Sequence, residues 1–184
     1  MVEQADMLLL EIEEKMEKSL KSTIGEYQTI RTGRAHPALL EQIYVEYYGV
    51  DTPIKQISTI TVPEGNQLYI KPYDKQILKK VEYAIGTSQL GLTPQNDGIG
   101  IRLVLPKLTE ERRRELSKEV EKLQEMGKVH IRNIRRDAND QIKKLGLPED
   151  AEYEYINDVQ ELTNSYSLKV EEEAKIKIAE IMAI

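Results

Sequence analysis

The sequence predicts an α+β fold: an elongated antiparallel three-helix bundle with a small β/α/β unit inserted between its first and second helices. Three observations carry this expectation. The stretch TEERRRELSKEVEKLQEMGKVHIRNIRRDANDQIKKL (109–145) spaces Leu116, Val120, Leu123, Gly127, Ile131, Ile134, Ala138 and Ile142 at steps of three or four, the period of an amphipathic helix. Two further stretches, about 3–30 and 150–184, carry apolar seams of similar length. Between the first and second of these, from about residue 40, the period changes to the alternation typical of strands.

The stretch at 109–145 has 37 residues and spans roughly 55 Å at about 1.5 Å per residue. A helix that long with so narrow a seam needs long partners. In the first stretch Leu9, Ile12, Met16, Leu20, Thr23, Tyr27 and Ile30 recur at near-heptad spacing with Glu and Lys between them. Thr32-Gly33 is a weak break, since an isolated Gly in a helical pattern is tolerated at a cost of about 1 kcal/mol, and His36-Pro37 is the firmer stop, because Pro restricts the residue before it.

From residue 40 onward Ile43, Val45 and Tyr47 alternate, so QIYVEYYG reads as a strand and Gly49 to Pro53 as its turn. Ile54 and Ile57 suggest irregular structure before a second strand at 58–62. QLYIKPY (67–73) alternates again, with Pro72 marking a strand end or an edge. Asp74 is placed to cap a short helix burying Ile77, Leu78, Val81 and Ile85, and Gly86-Thr87-Ser88 stops it. Asp97-Gly98 forms a turn before IGIRLVLP, and Pro106 closes this last strand.

After the breaker Gly146-Leu147-Pro148, Asp150 is a candidate N-cap. Ile156, Val159, Thr163, Tyr166, Val170, Ala174, Lys177 and Ile181 continue a seam, with Ile176, Ile178 and Ile184 adding apolar area. Antiparallel packing around one seam hides all three apolar faces. The expected domains are therefore 1–30 plus 107–184 for the bundle and 31–106 for the insertion. The two crossings, near 31–36 and 104–108, read as hinge linkers.

Composition narrows the function. Cys is absent, which removes disulfides, zinc-thiolate sites and cysteine nucleophiles and fits a reducing compartment. No apolar run reaches the length of a membrane span, and the start MVEQADMLLLEIEE is acidic where a targeting peptide is basic. Cytoplasm is the expected setting, with no membrane partner. The net charge of −6 conceals a strong asymmetry: residues 1–30 carry −4, 31–101 are neutral, 102–146 carry +5 and 149–184 carry −7. One basic rod flanked by acidic helices allows a polyanion to be held on one side only.

Little in the chain suggests catalysis. His36 and His130 are the only histidines, and no HExxH, Ser-His-Asp signature, P-loop or EF-hand loop is present. Gly98-Ile99-Gly100 lacks the GxGxxG pattern and the helix that must follow it. Neither a catalytic residue, a metal site nor a cofactor is expected. The stretch HIRNIRRDANDQIKK (130–144) does stand out. Arg132, Arg136 and the amide of Asn139 fall on one side at steps of four and three; Lys128 and Lys143 extend the stripe and Arg135 lies at its margin. Arg suits bidentate contact with phosphate. A solvated face with internal ion pairs fits the same spacing, since Asp137 and Asp140 sit among the bases and Glu121, Glu125 and Lys128 follow upstream. Arg31 and Arg34 join the site if the bundle brings the end of the first helix alongside the C-terminal end of the basic one.

The motifs IRTGRAHPALL (30–40), VEYYG (45–49), PKLTEERRRELSK (106–118), RNIRRDAND (132–140) and DVQELT (158–163) resemble the ribosome recycling factors of bacteria and organelles over essentially the whole chain. The resemblance implies an L-shaped molecule with a long three-helix bundle and a small domain that swings on two linkers. It also implies a role after termination: the bundle binds large-subunit rRNA of the 70S ribosome, and GTP-bound elongation factor G drives release of mRNA and tRNA and splitting of the subunits. By that resemblance Arg132 and Arg135 contact rRNA, with Arg31 and Arg34 in the neighbouring motif. The small domain faces the GTPase, and no residue of this chain hydrolyses the nucleotide. His36 and the run Asn164-Ser165-Tyr166-Ser167 depart from the family pattern, which bears on bundle packing rather than on the cationic contacts. A general RNA-binding or RNA-chaperone module is the main alternative. A coiled-coil adaptor is disfavoured because the three helices satisfy one another in one chain, so a monomer is expected.

Overall fold

The computed structural model describes residues 2–183. The chain forms α1 (Val2–Gln28), β1 (Tyr44–Tyr47), β2 (Val50–Pro53), α2 (Ile54–Ile57), β3 (Ser58–Thr61), β4 (Gln67–Pro72), α3 (Leu78–Gly86), β5 (Gln95–Asn96), β6 (Ile101–Val104), α4 (Glu110–Lys144) and α5 (Glu149–Met182). It divides into two compact units, the helical one built from α1, α4 and α5 and the second comprising Thr32–Leu108.

In the helical unit the seams meet as the sequence spacing requires. Ile12, Met16 and Leu20 of α1, Ile131, Ala138 and Ile142 of α4, and Val159, Tyr166 and Val170 of α5 are buried in one cluster. Leu9, Leu123, Ile134, Ile156 and Lys177 are only half-buried, and Ala5 takes a core place where Leu9 was expected. Ile176 is exposed and Ile178 half-buried, so the last turns add less core than their composition suggests; Ile184 lies outside the described residues. Tyr155 Oη donates to Asp6 Oδ1 at 2.6 Å and Tyr27 Oη donates to the Val170 carbonyl at 3.1 Å. These two bonds fix α1 parallel to α5. The short turn at 145–148, with Gly146 at φ +66°, returns α5 antiparallel to α4. Asp150 is not the N-cap of α5. Pro148 takes that position, with its carbonyl accepting from Glu152 N at 2.9 Å, and no side chain caps the helix. Its fixed φ is already suited to helix entry, and Glu149, Asp150 and Glu152 occupy the first turn, where the helix dipole favours carboxylates.

The three helices converge at Gly127. A Cβ built there would lie 2.9 Å from both Thr23 Cγ2 and Oγ1 and 3.2 Å from Val170 Cγ1. Gly therefore sits mid-helix, at a propensity cost of about 1 kcal/mol relative to Ala, because its neighbours leave no room. Gly127→Val is expected to destabilise the chain by about 1–3 kcal/mol through overpacking, read as a lower urea midpoint; an unchanged midpoint would refute the close approach.

The second unit has a four-stranded antiparallel sheet in the order β3-β4-β6-β5 and a separate β1–β2 hairpin. Leu68, Ile70, Ile101 and Leu103 from the sheet, Ile54 and Ile57 from α2, and Leu78, Val81 and Ile85 from α3 share its core. Val50–Pro53, read from sequence as a turn, is a strand. The turn is confined to Tyr48-Gly49, at φ 50° and 76°, so Tyr47 pairs with Val50 and Tyr44 with Pro53. Two consecutive positive φ values give the tight turn whose twist matches the flanking strands. Ile54–Ile57 is a single helical turn rather than irregular chain. β4 is a central strand, paired on both sides, and Pro72 falls at its end. Asp74 caps as expected: its side chain accepts from Gln76 N at the 3-10 turn that leads into α3.

Candidate nucleic-acid interface

The basic stripe is carried by one unbroken helix. Thr109 Oγ1 accepts from Arg112 N at 3.1 Å to cap α4. Glu110 and Glu111 lie in its first turn and Lys143 and Lys144 in its last, each sign at the end the helix dipole favours. This helix of 35 residues carries the stripe and buries its seam against two other helices.

Along that helix the predicted residues have different fates. Arg132 and Arg136 are exposed, and among the described residues no carboxylate pairs with either. Asp137 and Asp140 form no ion pair with them, so the internal pairing that the spacing also allowed is not made. Lys143 is exposed in the last turn. Arg135 is half-buried at the α5 side, its Nη1 donating to Gln160 Oε1 at 3.0 Å. Asn139, also half-buried, has a buried Oδ1 without a hydrogen-bond partner among the described residues. Lys128 does not extend the stripe as a free cation. It is paired across the helix boundary with Glu171 of α5, and the ammonium holds that carboxyl below its ordinary range.

Arg31 and Arg34 are both exposed. Arg31 belongs to the helical unit and Arg34 to the other. Because Thr23 packs on Gly127 and α1 runs antiparallel to α4, Arg31 lies toward the start of α4. Arg132 to Asn139 lie toward its end. The condition for Arg31 to join that stripe directly is therefore not met. Neither histidine sits in a catalytic arrangement: His36 Nδ1 accepts from Ala38 N at 3.0 Å, and His130 is exposed. Among the described residues no group of three or more His, Asp or Glu is placed to hold a metal ion, and no helix is long and apolar enough to cross a membrane.

The ribosome recycling factor family model matches residues 23–182. The chain belongs to the ribosome recycling factor family. It is 61% identical over 184 residues to the ribosome-recycling factor of Acholeplasma laidlawii, covering 100% of both chains. It is 50% identical over 184 residues to that of Geobacillus thermodenitrificans, covering 98% of this chain and 100% of the relative. A solution structure of the ribosome recycling factor superposes with a TM-score of 0.74 at 40% identity, covering 96% of this chain and 98% of that one. A second similar structure, with a TM-score of 0.63 and 40% identity over 97% of this chain and 99% of that one, is of the T. thermophilus ribosome recycling factor. It comes from models of that factor and E. coli elongation factor G bound to the E. coli post-termination complex. The helical bundle with its inserted β/α/β unit is the fold of this family. Ribosome recycling factors act in translation without catalysing a reaction, and this chain is accordingly not an enzyme.

Two tyrosines in the bundle bind its stability to pH. Burial first, then Glu173 and Glu26, pushes the Tyr27 phenol up to about 12. Burial, followed by a hydrogen bond to Glu17 and the charges of Glu17 and Glu13, pushes Tyr166 up to about 12. Each ordinary value is 10.0, so the folded state favours the protonated phenols. Their contribution is fully present below pH 10 and is lost as pH rises toward 12. Urea midpoints followed across that interval are expected to fall, and to fall less for Tyr27→Phe. An equal decline in both proteins would remove Tyr27 from the account.

Proposed function

We propose that the chain binds large-subunit rRNA of the post-termination 70S ribosome through Arg132, Arg135, Arg136 and Asn139 of α4. GTP-bound elongation factor G then drives release of mRNA and tRNA and parting of the subunits. The observation that carries the reading is the pair Arg132 and Arg136, exposed and, among the described residues, without counter-ions on a long helix of a protein whose net charge is −6. A fixed helix presents such guanidinium forks to phosphate with little further ordering. The related factor described with elongation factor G in a post-termination complex supports the choice of partners. Lys128 contributes less than its position suggests, because Glu171 neutralises it. Arg31 and Arg34 are assigned to separate contacts. The proposed setting is the cytoplasm, and the proposed state is a monomer, since α1, α4 and α5 bury apolar residues against one another. Relative movement of the two units through the crossings at 31–36 and 104–108 is part of the mechanism; Gly33, at φ +77°, lies in the first of them.

The test is 70S decay followed by light scattering on post-termination ribosomes. Splitting is expected only with the chain, elongation factor G and GTP together. RNA annealing or binding that ignores the GTPase, with no splitting, would favour the RNA-chaperone alternative.

A further inference from the structure

Helix α5 meets the basic stripe of α4 in two chemically different ways. Beside Lys128 it supplies Glu171, a carboxylate that cancels the ammonium charge. Beside Arg135 it supplies Gln160, whose Oε1 accepts from Arg135 Nη1 at 3.0 Å. Gln160 is held in turn, its Nε2 donating to Asn164 Oδ1 at 2.9 Å. Both Gln160 and Asn164 are neutral amides on a segment that is otherwise strongly acidic: residues 149–164 contain Glu149, Asp150, Glu152, Glu154, Asp158 and Glu161 and no Lys or Arg. A carboxylate in place of Gln160 would orient the guanidinium and also neutralise it. An amide orients it and leaves its charge intact. Arg135 Nε is buried with no hydrogen-bond partner, and among the described residues no carboxylate pairs with this side chain. The cation is thus fixed and partly desolvated, with no carboxylate among the described residues to compete with an incoming phosphate for its charge.

We infer that Gln160 is a positioning residue for nucleic-acid binding. It fixes the Arg135 guanidinium next to Arg132 and Arg136 while keeping its charge uncompensated, and Asn164 holds Gln160 in place. This rests on the proposed role of α4 in binding rRNA. Part of the side-chain entropy that a free Arg gives up on docking is already surrendered in the unbound protein. The charge pattern of the interface is accordingly set by α5 as well as α4: Glu171 switches Lys128 off, and Gln160 leaves Arg135 on.

Binding to large ribosomal subunits across a salt series tests this, using the full chain, Gln160→Glu, Gln160→Ala, Arg135→Ala, Arg132→Ala and the double variant Gln160→Ala/Arg135→Ala. Circular-dichroism melts of each run alongside. Gln160→Glu is expected to weaken binding roughly tenfold at low salt, the loss of one charge-assisted contact. It should also flatten the slope of log K against log salt by roughly 0.7–0.9, the signature of one phosphate fewer neutralised. Gln160→Ala weakens binding but keeps the slope, because the Arg135 charge remains. Added to Arg135→Ala it costs nothing further, since its effect passes through that side chain. A merely structural role would lower the melt and leave the salt slope alone. Wild-type affinity and slope in Gln160→Glu, with Arg135→Ala impaired, would overturn the inference while sparing the rRNA reading. Arg132→Ala and Arg135→Ala that both bind like the unaltered chain would overturn the reading itself and the inference with it.

Discussion

Arg132→Ala is expected to weaken binding to large ribosomal subunits by about 1.5–3 kcal/mol, the range for a lost hydrogen bond to a charged group. The helix should remain folded. Arg132 is exposed, contributes nothing to the buried cluster of the bundle, and among the described residues makes no ion pair whose loss would strand a partner. Its effect therefore belongs to binding and not to stability. The loss should be greatest at low salt and shrink as salt rises, because each neutralised phosphate releases condensed counterions. Quantitative pelleting with large subunits at several salt concentrations, beside circular dichroism, separates the two. Equal affinity with an intact helical spectrum would remove Arg132 from the interface. Lys128→Ala makes the internal comparison: its charge is already cancelled by Glu171, so it should cost clearly less.

Locking the two units together should leave subunit binding nearly intact and abolish GTP-dependent splitting. The chain path crosses between the helical unit and Thr32–Leu108 twice. The α4 arginines proposed to bind rRNA lie wholly in the helical unit, so a cross-link that leaves that unit undistorted does not touch them. On the proposed mechanism the GTPase acts through movement of one unit against the other, and the crossings are where such closure would be absorbed. The chain contains no Cys, so pairs introduced one in each unit can be screened for cross-linking without interference from native thiols. Reductant must break the link and restore splitting, which shows that constraint and not substitution caused the loss. Splitting at the unaltered rate by the locked form would mean that the second unit serves as a rigid docking surface.

The three long helices and the chemistry they display are legible in local sequence, whereas the single turn Ile54–Ile57 is not. Residues three and four apart on a helix are neighbours whatever else the chain does, so the seam from Leu116 to Ile142 and the stripe of Arg132 and Arg136 were legible locally. Asp74 as a cap was legible for the same reason, its partner being two residues away. Strand β2 was not, because a four-residue strand is defined by its pairing with Tyr44–Tyr47 and by a turn that holds Tyr48 at φ 50°, against its ordinary preference. That β4 is central was decided by β3 and β6 closing on both its edges. The candidate site divides along the same line. Which cations exist is written in α4, but which of them keep their charge depends on α5, where Glu171 meets Lys128 and Gln160 meets Arg135. The distance of Arg31 from the stripe follows likewise from α1 running antiparallel to α4, with Thr23 against Gly127. Local periodicity fixes what one helix presents, while the pairing of groups distant in sequence is set only when the helices pack, because burial and charge compensation are properties of neighbours in space.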